Sequence, residues 1–176
     1  MIETHPLGNF TPKRMHYLLL GSFAAKGMDS DPNYDWYYGS KYNQFWHIIE
    51  KVYSTKLPDK DSKKKLFSDL NFGIADIIYQ CERSKGSSLD VNLTNIVYNN
   101  SLRQVIKNNK LRKIFFSSRF VEKHFKRHFK DIVQDHSEIE FTTLPSPSPR
   151  YAQMTKDEKI ARYKILLPEL ANQNNY

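Results

Sequence analysis

Three short β-type runs, HYLLLGS (16–22), RKIFFSS (112–118) and EIEFTTL (138–144), are separated by segments whose apolar residues recur at helical spacing. This alternation constrains the fold more than any other feature. Strands joined through helices pair in parallel, because each helical crossover returns the chain to the same end of the sheet. The first run is apolar and stopped by Gly21, as expected of a buried strand ending in a tight turn. Between and after the strands, NQFWHIIEKVY (43–53) puts Phe45 or Trp46, Ile49 and Tyr53 on one stripe, and KKKLFSDL (63–70) forms a second helix. NSLRQVIKNN (100–109) begins at an Asn100 or Ser101 cap. RFVEKHFKRHFKDI (119–132) aligns Val121, Phe125, Phe129 and Ile132 as one helix. TKDEKIARYKILLPEL (155–170) starts with Thr155 as cap and Glu158 as its capping-box partner, and Pro168 ends or kinks it. FGIADIIYQC (72–81) reads as a strand or a short buried helix, and KDSKKK (60–65) as a solvated helix face or a loop. The expected class is α/β, a sandwich with a mainly parallel sheet.

A chain of 176 residues suits one domain over residues 1–176, long enough to bury about two thirds of its unfolded surface. A single cysteine, Cys81, excludes an internal disulfide framework and a four-cysteine metal site, and reads as a small buried hydrophobe in a reducing compartment. The opening MIETHPLGNF lacks the apolar stretch of a signal peptide, and no segment is long enough to span a bilayer. A soluble, cytoplasmic monomer with no membrane partner is expected. The net charge of +8, from 27 Lys+Arg against 19 Asp+Glu, comes with 14% aromatic residues. Positive charge with flat rings suits a polyanion whose bases can be stacked upon, although a basic surface also serves solubility.

In open parallel sheets ligands bind beyond the carboxyl ends of the strands, and two strands end in GSFAAKG (21–27) and PSPSPR (145–150). Gly21 and Ser22 allow backbone to approach a ligand closely, with Phe23 as a stacking face, or form a plain turn. Tyr34, Trp36, Tyr37, Tyr38 and Tyr42 precede Asn43 without helical or strand alternation, as a pocket wall or a surface-covering loop would. His124 and His128 lie four apart on one helix without a third ligand, so they read as solvated side chains and no metal is expected. No G-x-S-x-G elbow accompanies the serines, which argues against a hydrolase triad. Three prolines stiffen LPSPSPRYA (144–152), a rigid loop that projects the Ser146 and Ser148 hydroxyls and Arg150 and so suits gripping a ligand at little further entropic cost.

Taken in order, HPLGNF, YLLLGS, YYGSKYNQFW, FGIADII, CERSKGSSLD and LPSPSP resemble the motifs of the uracil-DNA glycosylase superfamily, closest to its hypoxanthine-DNA glycosylase-like and mismatch-specific branches. The resemblance implies a three-layer α/β/α sandwich around a short, mainly parallel central sheet. It implies a monofunctional, cofactor-free DNA glycosylase that flips a deaminated base of uracil or hypoxanthine type out of DNA and hydrolyses its bond to deoxyribose. Its partner is then DNA containing a damaged base, which would associate the protein with the nucleoid. On the same basis Asn43 is the catalytic candidate, positioning water or hydrogen-bonding the base. Gly21, Ser22, Phe23 and Tyr38 bind the base, and Ser146, Ser148 and Arg150 hold DNA, with Arg150 or Tyr151 as wedge.

The sequence departs from the family pattern in three places. Phe23 stands where Asp or Asn would orient water, Ala24-Ala25 where Pro-Gly is usual, and Leu144 where the more active uracil enzymes carry histidine. An amide such as Asn43 cannot act as a general base at neutral pH, so slow turnover is expected. The alternative is a catalytically weak or inactive nucleic-acid-binding module. Asp76 and Asp90 match acidic positions of the family and are assigned capping and loop hydrogen bonds.

Overall fold

The computed structural model describes residues 1–28, 30–84 and 89–171, which leaves residues 85–88 of the CERSKGSSLD motif outside the described residues. Four strands form a wholly parallel sheet in the order β3-β2-β6-β7, with β2 at Tyr17–Gly21, β3 at Phe72–Asp76, β6 at Lys113–Phe116 and β7 at Glu140–Thr143. Neighbouring residues of a strand point to opposite faces. Accordingly Leu18, Leu20, Ile114 and Phe116 pack in one apolar cluster, and Leu19, Phe72, Ile74 and Phe115 in another. Helices α1 (Phe45–Val52), α2 (Lys60–Asp69) and α6 (Lys156–Leu166) contribute Phe45, Ile49, Phe67 and Tyr163 to the second cluster. Helices α3 (Ser101–Lys107), α4 (Arg119–His128) and α5 (Lys130–Asp135) contribute Leu102, Ile106, Val121, Phe125 and Ile132 to the first. Thr155 caps α6 with its capping-box partner Glu158, and the helix ends at Leu166, ahead of Pro168.

The stretch read as one element at 72–81 is two strands in two sheets. Ile77 is the crossing point: its N–H donates to the Gly21 carbonyl at 2.9 Å, and its own carbonyl accepts from Asn99 at 2.8 Å. Beyond it β4 (Ile78–Arg83) is the centre of an antiparallel sheet β1-β4-β5, with β1 at Ile2–Thr4 and β5 at Leu93–Tyr98. The 119–132 segment is likewise two helices. Phe129, at φ −114 and ψ 38, breaks the backbone between α4 and α5 while its ring stays fully buried.

KDSKKK is part of a helix that begins at Lys60, capped by Asp59, whose carboxylate accepts from the Ser62 N–H at 2.8 Å. Lys63 is not solvated: it is 7% exposed, donates to Asp35 Oδ1 at 2.8 Å and lies over the Trp46 ring at 5.4 Å. His124 is also more than a solvated side chain. Its Nδ1 is 2.6 Å from the Tyr98 hydroxyl, and its ring stacks on Phe120 at 4.1 Å. Cys81 is fully buried and unpaired.

The aromatic rings of α4 are the centre of the first cluster, where Phe125 stacks 5.0 Å from Phe129 and lies 5.3 Å from Phe116. Phe125→Ala is therefore expected to lower the unfolding free energy by about 3–5 kcal/mol. Lys123→Ala, on the exposed face of the same helix, should change it by less than about 0.5 kcal/mol, both read from urea denaturation.

A candidate active site at the carboxyl ends of the parallel strands

All four parallel strands end on one side of the sheet, at Gly21, Asp76, Phe116 and Thr143. β2 leads on to β3 on one flank and β6 to β7 on the other, so the loops after β2 and β6 diverge and open a crevice. A cleft of about 1010 Å³ occupies it. The loop after β2, the aromatic tract, the end of β6 and the proline loop form its walls, and these bring Ser22, Phe23, Tyr38, Asn43, Ser146, Ser148 and Arg150 to one cavity.

Gly21 is not part of the lining but lies beneath it. A Cβ at this position would stand 2.2 Å from Asp76 Oδ1 and 2.6 Å from the Tyr38 hydroxyl. The glycine therefore makes room for two side chains of the site rather than for a ligand. Tyr38 reaches this place through a left-handed backbone, φ 55, and packs on Phe45 at 4.4 Å. Burial, reinforced by the charge of Asp76, holds its phenol well above the ordinary value and so neutral, with Ser117 opposing weakly. Its hydroxyl is buried without a hydrogen-bond partner of good geometry among the described residues.

The aromatic tract has no regular secondary structure, yet Tyr34, Trp36 and Tyr37 are core residues, 5%, 2% and 3% exposed. The Trp46 indole donates to the Tyr37 carbonyl at 2.6 Å and stacks on Trp36 at 5.7 Å, which ties the tract to α1. The Tyr34 hydroxyl accepts from the Ala25 N–H at 2.9 Å and so fixes the loop after β2; burial pushes its phenol up to about 12. Phe23 is held with its ring against the His5 edge at 5.2 Å and the Arg83 guanidinium at 5.2 Å.

Asn43 precedes α1, and its side-chain Oδ1 accepts from the Phe45 N–H at 2.9 Å. Only the oxygen of an amide can meet an N–H donor, so the Asn43 acceptor is engaged in starting the helix and its NH₂ group is left for a ligand.

The proline loop is anchored by its carbonyls. Pro145 accepts from the Tyr163 hydroxyl at 2.6 Å, Pro147 from the Gln44 N–H at 3.0 Å, and Ser148 from Lys159 Nζ at 2.9 Å. The Ser146 and Ser148 hydroxyls accept from the N–H groups two residues on, each at 3.3 Å, which leaves their O–H hydrogens to be donated outward. Lys159 is 1% exposed, bonds Gln44 Oε1 at 3.0 Å and lies over the Tyr151 ring at 5.4 Å; burial pulls its ammonium below the ordinary value. Leu144 is buried in the second cluster and presents nothing to the cleft.

Charge is graded with exposure. The lining cations Lys26, Lys41 and Arg150 are exposed, whereas the lining carboxylates among the described residues are less so, Asp31 and Asp90 half-buried and Asp76 buried. Asp90 accepts from Ser22 Oγ at 2.7 Å, and burial raises its carboxyl above the ordinary value despite that bond. The residue pair that sequence reasoning missed is His5 and Asp76. His5 Nε2 lies 2.7 Å from Asp76 Oδ2, with side chains 5% and 7% exposed. Burial alone would lower the His5 imidazole, but the hydrogen bond and charge of Asp76, with the Leu7 carbonyl, hold it above its ordinary value. Among the described residues no three His, Cys, Asp or Glu side chains are grouped to hold a metal ion, and no helix is long and apolar enough to cross a membrane.

No protein-family model and no curated protein matches the chain. A solution NMR structure of a Methanosarcina acetivorans protein, described as a "putative uracil DNA glycosylase", is similar over 94% of this chain and 99% of that one, with a TM-score of 0.66 and 22% identity. The likeness establishes a shared fold.

The space over Gly21 yields a direct test. Gly21→Ala is expected to displace Asp76 or Tyr38 and cost about 1–3 kcal/mol of stability. Gly8→Ala, where nothing lies within 4 Å of the new Cβ, should leave the thermal melting curve essentially unchanged.

Proposed function

We propose that this protein is a DNA glycosylase: the cleft receives one nucleotide extruded from damaged DNA, and the bond between a deaminated base, of uracil or hypoxanthine type, and its deoxyribose is hydrolysed there. The observation that carries this reading is the charge gradient of a single cleft, cationic where phosphates would lie and acidic where a sugar cation would form. The cleft volume of about 1010 Å³ lies at the upper end of the roughly 300–1,000 Å³ typical of small-ligand sites, which suits a nucleotide still joined to its backbone. The shared fold with the Methanosarcina acetivorans protein and the ordered motifs of the sequence point the same way. Apolar clusters on both faces of the parallel sheet, each joined by helices, support reading the domain as a three-layer α/β/α sandwich.

Extruding a base costs a few kcal/mol, which new contacts must offset. In this reading the Ser146 and Ser148 hydroxyls and the Ser146 N–H donate to the flanking phosphates from a backbone that needs no further ordering. Arg150, exposed at the tip of the loop, adds a cation or fills the gap left in the helix. Phe23 and Tyr38 line the base, and the Asn43 NH₂ donates to a base oxygen that gains negative charge as the glycosidic bond breaks. A neutral amide donor in place of a charged one supports slow turnover.

Base release from duplex oligonucleotides carrying uracil, hypoxanthine, xanthine or a thymine mismatch tests the proposal. Wild-type protein should release at least one of these bases, and Asn43→Ala should lower single-turnover release by about 100- to 1,000-fold, the loss typical of removing one such donor. No release from any substrate, with salt-sensitive binding retained, would leave the nucleic-acid-binding module as the reading. Arg150→Ala is expected to weaken binding across sequences and reduce the slope of log K against log salt by about 1. Unchanged affinity at low salt would take Arg150 out of the interface.

A further inference from the structure

Hydrolysis requires a group that accepts a proton from the attacking water, and neither position assigned to water so far supplies one. Phe23 occupies the place after β2 where the resemblance implies Asp or Asn, and the Asn43 amide oxygen is engaged by the Phe45 N–H. Among the described residues three carboxylates line the cleft. Asp31 turns an oxygen back to the Asn33 N–H at 2.9 Å, and Asp90 is bound to Ser22. Asp76 differs from both. It closes β3, the edge strand of the parallel sheet, in register with Gly21 on the neighbouring strand. Its Oδ2 is held by His5 at 2.7 Å, while Oδ1 has no hydrogen-bond partner among the described residues and is not sealed from the cleft. The missing side chain of Gly21 gives that oxygen its space.

We infer that Asp76 is the catalytic carboxylate that orients and deprotonates the attacking water, with His5 as its positioning residue, the acid having moved from the loop after β2 to the end of the neighbouring strand. The inference rests on the glycosylase reading. As the C1′–N bond breaks, its electron pair leaves with the base, and the negative charge of Asp76 favours the sugar cation. Water then forms the new O–C1′ bond, its proton passes to Asp76 Oδ1, and the departed base anion takes a proton from solvent. Asp76 returns its proton to solvent to complete the cycle. His5 keeps Oδ2 occupied and the carboxylate fixed. Its own ring is held by the Leu7 backbone, whose carbonyl and N–H lie 2.9 and 3.1 Å from Nδ1, and by Tyr37, stacked at 5.9 Å.

Single-turnover base release tests the inference, using the substrate that the wild type processes. Asp76→Asn should bind damaged DNA as the wild type does and release base at least about 100-fold more slowly. His5→Gln, which leaves the carboxylate in place, should slow release by roughly 10- to 100-fold with DNA affinity unchanged, and decides the matter if Asp76→Asn does not fold. Wild-type rates in either folded variant would overturn the role of Asp76 while the glycosylase reading stands. An inactive wild type would overturn both.

Discussion

The pairing of β2 on both its edges is the constraint from which the rest of the structure follows. Flanked by β3 and β6 and buried from Leu18 to Gly21, this strand is paired along both of its edges. Because all its neighbours run parallel to it, the four carboxyl ends gather on one side, and the divergence of the chain on either side of β2 holds their loops apart. The cleft is thus a product of strand order before any side chain is considered. What the side chains add is a gradient of charge and of rigidity.

Rigidity comes from two directions. The aromatic tract has no ladder of backbone hydrogen bonds, and is instead immobilised by rings: Trp36 on Trp46, Tyr38 on Phe45, and the Trp46 indole on the Tyr37 carbonyl. The proline loop has few backbone donors, and its carbonyls are bound one by one by α6 and the start of α1. Both devices fix irregular chain without secondary structure, which is the requirement for a site built from loops.

The sequence exposes those features that are encoded locally. Parallel strands, α6 with its Thr155 and Glu158 cap, and the stiff serine-proline loop are all legible because turn residues, caps and periodicity act over a few positions. The division of 72–81 between two sheets is not, since Ile77 and Ile78 read as one apolar run and no glycine or proline marks the crossing. The break at Phe129 is hidden in the same way, because the buried stripe continues straight across it. Short strands of the antiparallel sheet carry little pattern: Tyr79 and Val97 are about half exposed, at 48% and 46%. Lys63 looks like one of a run of solvated lysines until Asp35, 28 residues away, supplies its partner. His5 and Asp76 are 71 residues apart, so only the completed sheets reveal them as a pair, whereas Asn43 and the proline loop could be singled out from motif alone.

Lys159 has a consequence for how an anion would be received. Its ammonium lies under the proline loop among amide oxygens and an aromatic ring, with no carboxylate beside it among the described residues. Oxygen dipoles solvate a cation but do not cancel its charge. The hydration shell of this lysine was surrendered when the chain folded, so a negatively charged visitor at the loop meets a field already stripped of screening water and does not have to dehydrate its counter-ion on arrival.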